Sequence, residues 1–146
     1  MKCVFVSQSF DGIIPALEAR KFDAILSSMT VTPERAKQVA FSSEMYDEPT
    51  SLIAKKGSGL KPTAASLKGK TVGVEAGTIQ ETYAKTYWQP NGVNVVSYQG
   101  QDQVYADLLS GRLDASLQDS VEADYGFLKT CLLYTSDAAD EEDSGD

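Results

Sequence analysis

The stretch that most constrains this chain runs from residue 22 to residue 35, FDAILSSMTVTPER. Phe22, Ala24, Ile25 and Leu26 predict a short buried strand, apolar for most of its length and polar at its end. Ser27, Ser28 and Thr30 follow at its carboxyl end. Thr32 then stands at a helix N-cap, with Pro33 at the first helical position and Glu34 and Arg35 in the first turn. In open α/β sheets, ligands bind outside the carboxyl ends of strands. Hydroxyls, free backbone N–H groups and a guanidinium fork gathered there suit a small carboxylate. The same residues also suit an ordinary strand-to-helix turn with a capping threonine and a surface arginine.

The 146 residues suffice for one domain or two small lobes. No apolar run approaches the roughly 20 residues of a membrane helix. There is no histidine and there are only two cysteines, Cys3 and Cys131, which argues against zinc sites, Ser/His or Cys/His catalysis and a disulfide framework. Neither a metal nor a cofactor is expected. Cys3, in an apolar run, reads as a small buried hydrophobe. The net charge of −8 is unevenly placed. Residues 131–146 hold six of the 21 acids and none of the 13 bases, which leaves 15 acids against 13 bases in the rest. That near-balance argues against a nucleic-acid binder, which would show a basic patch.

Residues 131–141, CLLYTSDAADE, do not continue what precedes them. They resemble the in-frame translation of an adapter used in transposon-based sequencing libraries. Residues 131–146 are therefore expected to be a non-native, disordered tail, the alternative being a genuine acidic one. The other end opens in what reads as mid-strand, CVFVSQ, without a signal peptide, so the chain is expected to be a fragment of a longer protein.

Taken in order, residues 3–7 predict a strand, residues 12–20 a helix, residues 22–26 a strand parallel to the first, and residues 33–38 a short helix. A boundary falls near Glu48–Pro49, which divides the chain into 1–48, a partial lobe 1, and 49–130, a partial lobe 2. In the second part, strands are expected at 51–54, 71–74, 93–98 and 112–117, and helices at 79–88, 101–110 and 120–129. The alternation implies an α/β fold with a parallel sheet covered by helices. Arg20-Lys21-Phe22-Asp23-Ala24 resembles Gly111-Arg112-Leu113-Asp114-Ala115, each leaving an amphipathic helix for a strand that ends in polar residues. Two lobes facing one another across a cleft is the economical reading, although helix, basic turn and strand are a common α/β joint.

The strings FDGIIPALEARKFDAILSSMTVTPER, SLKGKTVGVEAGTIQETYA and VVSYQGQDQVYADLLSGRLDASLQDSVEADYGFLK resemble the periplasmic solute-binding proteins of ABC transporters for polar amino acids. The nearest likeness is to the lysine/arginine/ornithine- and histidine-binding group, over almost all of residues 1–130. The resemblance implies a type II periplasmic-binding-protein (Venus-flytrap) fold of two lobes, both incomplete here. It also implies a monomer in the periplasm that binds free lysine, arginine, ornithine or histidine and hands it to a membrane permease. Residue by residue, Arg35 resembles the arginine that grips the ligand α-carboxylate, supported by backbone N–H groups of Thr78 and Ile79. Asp119 resembles the carboxylate that takes the α-ammonium, with Ser28 and Thr30 adding hydrogen bonds and Ser27 beside them. Phe10 resembles the aromatic that packs on the ligand side chain, and Gln80 lies at the helix start beside the pocket. In some relatives the cysteine at the position of Cys3 pairs with an upstream partner, which this chain does not contain.

Glu75 stands where that group usually has an apolar residue. It could meet a cationic ligand head or be a solvated turn residue. Ile79 replaces a usual threonine. Two other functions share the fold: a cyclohexadienyl dehydratase-like enzyme, with Glu75 as general acid or base, and the sensor domain of a membrane receptor. The non-enzymatic binding protein is preferred. Gly69-Lys70-Thr71 is rejected as a phosphate loop because it precedes a strand.

Overall fold

The computed structural model describes residues 1–129 and the backbone of Tyr134–Ala138. Its strands are β1 (Thr50–Lys55), β2 (Thr71–Glu75), β3 (Asn94–Tyr98), β4 (Ala115–Asp119) and β5 (Tyr134–Ala138), in the order β3-β2-β4-β1-β5. The β2 strand lies parallel to both β3 and β4. The crossovers run through helices, as parallel neighbours require. They are α4 (Ile79–Tyr83), which continues as a π-helical turn through Trp88, and α5 (Gln101–Leu109). The β1 strand pairs antiparallel with β4, Leu52 opposite Leu117. Three further helices are α1 (Ile13–Glu18), α2 (Pro33–Ala36) and α3 (Ala64–Leu67), and α6 (Ser120–Ala123) follows β4 directly.

Side-chain alternation sorts the core to two faces of this sheet. Leu52 and Ala54 of β1, with Val72 and Val74 of β2, join Leu67, Trp88 and Leu117 on one face. Ile53 joins Val104, Leu108, Leu113, Ala123 and Phe127 on the other. Trp88 packs edge-on against Tyr83, and Phe127 stacks on Tyr105 with ring centroids 4.5 Å apart. Gln101 and Gln118 are buried between α5 and β4, but they bond one another, and the Gln118 amide donates to the Tyr105 hydroxyl at 2.6 Å. A buried polar network satisfied in this way fixes the register of helix on strand.

The two similar sequence segments share a backbone device. The Lys21 N–H donates to the Ala16 carbonyl at 3.0 Å, and the Arg112 N–H to the Asp107 carbonyl at 2.9 Å. Both are the long bond of a Schellman helix end. The residue before each is left-handed, Arg20 at φ 58° and Gly111 at φ 81°. After the second turn, Asp114 reaches the sheet: its carboxylate accepts from the Thr71 N–H at 2.8 Å. Residues 112–114 are thus used by the turn, and β4 begins at Ala115 instead of Arg112.

Two expectations are corrected in the first 49 residues, which contain no strand among the described residues. Residues 3–7 and 22–26 belong to no sheet, the chain bending at 22–23, and Phe5 and Leu26 are 85% and 79% exposed. Cys3 is an exposed free thiol instead of a buried hydrophobe. Two isolated strands are marginal in water without a third or a helix covering them. At the other end, Tyr134–Ala138 lies along the outer edge of β1, Ser51 opposite Ala138. The sequence reading sets residues 131–146 aside as disordered; here five of them pair an edge whose backbone groups need partners. Residues 130–133 and 139–146 lie outside the described residues.

Arg20 holds a conformation that costs an L-residue about 1–2 kcal/mol, whereas glycine adopts it freely. Arg20→Gly should therefore raise the stability of the full-length protein carrying this sequence by up to about 1 kcal/mol, after the extra entropy of an unfolded glycine is subtracted. Denaturant unfolding checks this, the midpoint moving up.

Candidate functional site

A cavity of about 640 Å³ lies between the first 48 residues and the sheet. All ten residues singled out from the sequence line it: Phe10, Ser27, Ser28, Thr30, Arg35, Glu75, Thr78, Ile79, Gln80 and Asp119. The N-terminal half of the chain contributes a turn at Phe10, the loop through Ser27–Thr30, and α2. The sheet half contributes strand ends and helix starts: Glu75 closes β2, Thr78 caps α4, and Asp119 closes β4 at the start of α6.

Arg35 is positioned by its own turn. The Thr32 hydroxyl accepts from the Arg35 N–H at 3.2 Å and holds the first turn of α2. The guanidinium donates through Nη1 to the Thr30 carbonyl at 2.8 Å. Through Nη2 it donates to the Gly77 carbonyl at 2.9 Å, across the cleft. Its carbon lies 5.4 Å from the centroid of the Phe10 ring, a cation–π distance. Those two bonds use two of five N–H donors, leaving a fork for an anion. Gly77 is required by the same approach. Its φ is 81°, and an added Cβ would lie 2.7 Å from the Asp11 Cα.

Asp119 is held from the opposite side. The buried Gln80 amide donates to Asp119 Oδ1 at 2.7 Å and to Thr50 Oγ1 at 2.9 Å. Next along the chain, the Ser120 N–H and hydroxyl both donate to the Pro49 carbonyl, at 2.9 and 2.7 Å. The Ser120 hydroxyl also contacts that of Ser51 at 2.6 Å, so Ser51 supplies the proton there. This cluster locks the chain crossing at Pro49 to the start of α6, beside the carboxylate. Ser28 is left-handed at φ 51° and its hydroxyl bonds that of Tyr46. Strain of this kind concentrates at ligand sites. Thr78 is both cap and bridge: its hydroxyl accepts from the Glu81 N–H at 3.1 Å and donates to the Glu75 carbonyl at 2.7 Å.

The lining holds four carboxylates, Glu48, Glu75, Asp119 and Glu122, and one cation, Arg35. Burial pushes the Asp119 carboxyl up to about 6, and Glu48 adds to the rise, against the Gln80 hydrogen bond and Arg35. Burial and then Glu75, Asp119 and Glu48 push Glu122 up to about 7. Glu122 is nonetheless an exposed residue of the cavity lining, so solvent screens part of this effect. Glu75 is raised as well, by burial and then by Asp119, Asp102 and Asp11. Burial lowers Arg35 from its ordinary value while Asp119 raises it, and a guanidinium stays charged throughout.

Sequence reasoning missed Gln8, Ile13, Glu48, Val121, Glu122, Tyr125 and Gly126 in the lining. For Glu122 a signal existed. It lies three residues after Asp119 in a helix that begins at Ser120, and that spacing puts both on one side.

The raised carboxyls give stability a sign with pH. The native state holds a proton on Glu122 up to about 7, whereas the unfolded chain loses it near 4.3. Between those values the native state binds more protons, so unfolding free energy falls as pH rises. Glu122→Gln should therefore become more stable relative to wild type as pH goes from about 4 to about 7, with no further gain above. Melting curves of both proteins at pH 4.5 and 8 check the sign.

Residues 1–87 match the family described as bacterial extracellular solute-binding proteins, family 3. A lysine/arginine/ornithine-binding periplasmic protein of Escherichia coli is 53% identical over 129 residues, covering 88% of this chain and 50% of that protein. A histidine-binding periplasmic protein of Salmonella typhimurium is 49% identical over 128 residues, covering 88% and 49%. The chain thus spans about half the length of these curated relatives. An ancestral arginine-binding protein bound to arginine matches with a TM-score of 0.84 and 34% identity, over 91% of this chain and 59% of that one. A Salmonella typhimurium periplasmic binding protein of high arginine specificity matches with a TM-score of 0.86 and 35% identity, over 98% and 63%. These likenesses carry the type II solute-binding fold, with both lobes incomplete, and with the cleft geometry they lead to one conclusion: the chain belongs to the bacterial extracellular solute-binding proteins, family 3.

Proposed function

We propose that the protein carrying this chain binds a free polar, basic amino acid in the cleft and delivers it to the membrane permease of an ABC transporter. The observation that carries the reading is the placement of Arg35 and Asp119 on opposite sides of one cavity, each held by its own hydrogen bonds. An α-amino acid presents a carboxylate and an ammonium at one carbon. Arg35 grips the carboxylate with its remaining donors, supported by backbone N–H groups at Thr78 and Ile79. Asp119 accepts from the ammonium, with the Ser28 and Thr30 hydroxyls beside it. Ser27 and Gln80 complete the polar wall, Phe10 packs on the side chain, and Glu75 faces its cationic end.

Since the zwitterion's two ends are held from two halves of the chain, ligand stabilises the closed arrangement over the open one. The bond from Arg35 to Gly77 is a contact of the protein's own across the cleft. The permease would read the closed state. The curated relatives are periplasmic by name, and no helix among the described residues is long and apolar enough to cross a membrane. They are named as binding proteins, which favours binding over dehydratase chemistry.

Calorimetric titration of the full-length protein with arginine, lysine, histidine and glutamine tests the reading. At least one basic amino acid should bind, and Arg35→Ala and Asp119→Asn should each weaken it by 30-fold or more, from roughly 2–5 kcal/mol for breaking a desolvated charge pair. No heat from any of the four would end the proposal.

A further inference from the structure

We propose that Glu75 and Glu122, facing one cavity from the end of β2 and the first turn of α6, form a two-carboxylate receptor for the ligand's distal cation, fitted best to a guanidinium. This rests on the amino-acid reading above and adds what lies beyond the zwitterion.

Charge is the first argument. Once the ligand carboxylate is on Arg35 and its ammonium on Asp119, the lining retains Glu48, Glu75 and Glu122 with no protein cation among its described residues. The ion pairs described elsewhere, Lys85–Glu81 and Arg112–Asp107, involve none of them. A neutral side chain would leave three carboxylates facing one another. A cationic one relieves the repulsion.

Partners are the second argument. Asp119 has its Gln80 donor, but among the described residues no hydrogen bond reaches the Glu75 or Glu122 carboxylates. Nor does any reach Glu48 Oε2, a fully buried oxygen in the same lining. A buried acid oxygen such as that of Glu48 is normally bonded, whereas Glu75 is half-buried and Glu122 exposed, each open to a ligand donor in place of water. These oxygens have acceptor capacity that a ligand donor would fill.

Shape is the third. Glu75 and Glu122 come from different elements, line the same cavity, and the Glu75 charge raises Glu122. A planar guanidinium can place one edge against each of two carboxylates, whereas an ammonium meets them as a point charge. The α6 N-terminus alone would favour an ionised Glu122. Its neighbours Glu75, Asp119 and Glu48 oppose that, as does burial, and Asp102 and Asp11 act likewise on Glu75. The Tyr105 hydroxyl, near both, stays neutral, pushed up to about 12. Arg35 lies across the cleft and is engaged with Thr30 and Gly77. A bound distal cation therefore lowers these carboxyls and expels a proton.

The test titrates the full-length protein with arginine and with citrulline, its neutral isostere. Glu75→Gln and Glu122→Gln should each weaken arginine by about 10- to 100-fold, the range of a charge-assisted hydrogen bond of about 1.5–3 kcal/mol. Citrulline affinity should stay within a few-fold, which also shows that each variant folds. At pH 6, heats in two buffers of different ionisation enthalpy should show proton release with arginine, less with citrulline, and less with arginine in the Glu122→Gln variant. Equal losses for the two ligands, unchanged arginine affinity in both variants, or equal proton release would each overturn the receptor. If arginine binding survives both substitutions yet is lost in Arg35→Ala, the receptor fails while the zwitterion site stands. If the wild type binds neither ligand, both fail.

Discussion

Everything at this site depends on one guanidinium reaching across a cleft. Arg35 is fixed at its base by the Thr32 cap and at its tip by the Thr30 and Gly77 carbonyls. A side chain with this much rotational freedom is costly to immobilise, about 1.5–2 kcal/mol, and the bonds to two carbonyls meet that cost before any ligand arrives. The Gly77 bond also sets the distance between the halves. Gly77 tolerates it because it has no Cβ to strike the Asp11 backbone. On the other side, Asp119 is held by Gln80 and flanked by the Ser120–Pro49 cluster. Opposite charges are thereby presented at fixed places by elements far apart in sequence.

The sheet explains why those places are fixed. Parallel β2 and β4 end on the same side, so Glu75 and Asp119 emerge together, and the helices that follow begin there. The crossing at Pro49 feeds antiparallel β1 alongside β4 and is tied to the start of α6. Site and crossing thus share one corner of the sheet.

Much of this was legible from residues. The strands of the second half lie within a few residues of their expected places: the runs of β1, β2 and β4 are buried, the half-exposed β3 keeps its β-branched residues, and turn residues bound them. The β4 boundary moved because Arg112–Asp114 serve the Schellman turn and the bond to Thr71, which composition does not reveal. The likeness of residues 20–24 to 111–115 proved to be conformational, down to the left-handed residue. The runs at 3–7 and 22–26 read as strands, yet they find no ladder partner among the described residues, and pairing is a property of neighbours, not of a segment. Every candidate site residue lines the cavity: Glu75, Thr78, Ile79, Gln80 and Asp119 from strand ends and helix starts, Arg35 from the first turn of α2, and Phe10, Ser27, Ser28 and Thr30 from a turn and a loop. Glu122 and Glu48 escaped notice because an acid in a helix or beside a proline is ordinary until its surroundings are known.

The central claim is that Arg35 and Asp119 hold opposite ends of one amino-acid zwitterion. A crystal structure of the full-length protein with arginine bound tests it most directly. The account predicts Arg35 nitrogens within about 3 Å of the ligand carboxylate and an Asp119 oxygen within about 3 Å of its α-ammonium. Either group turned away from the bound amino acid would contradict it.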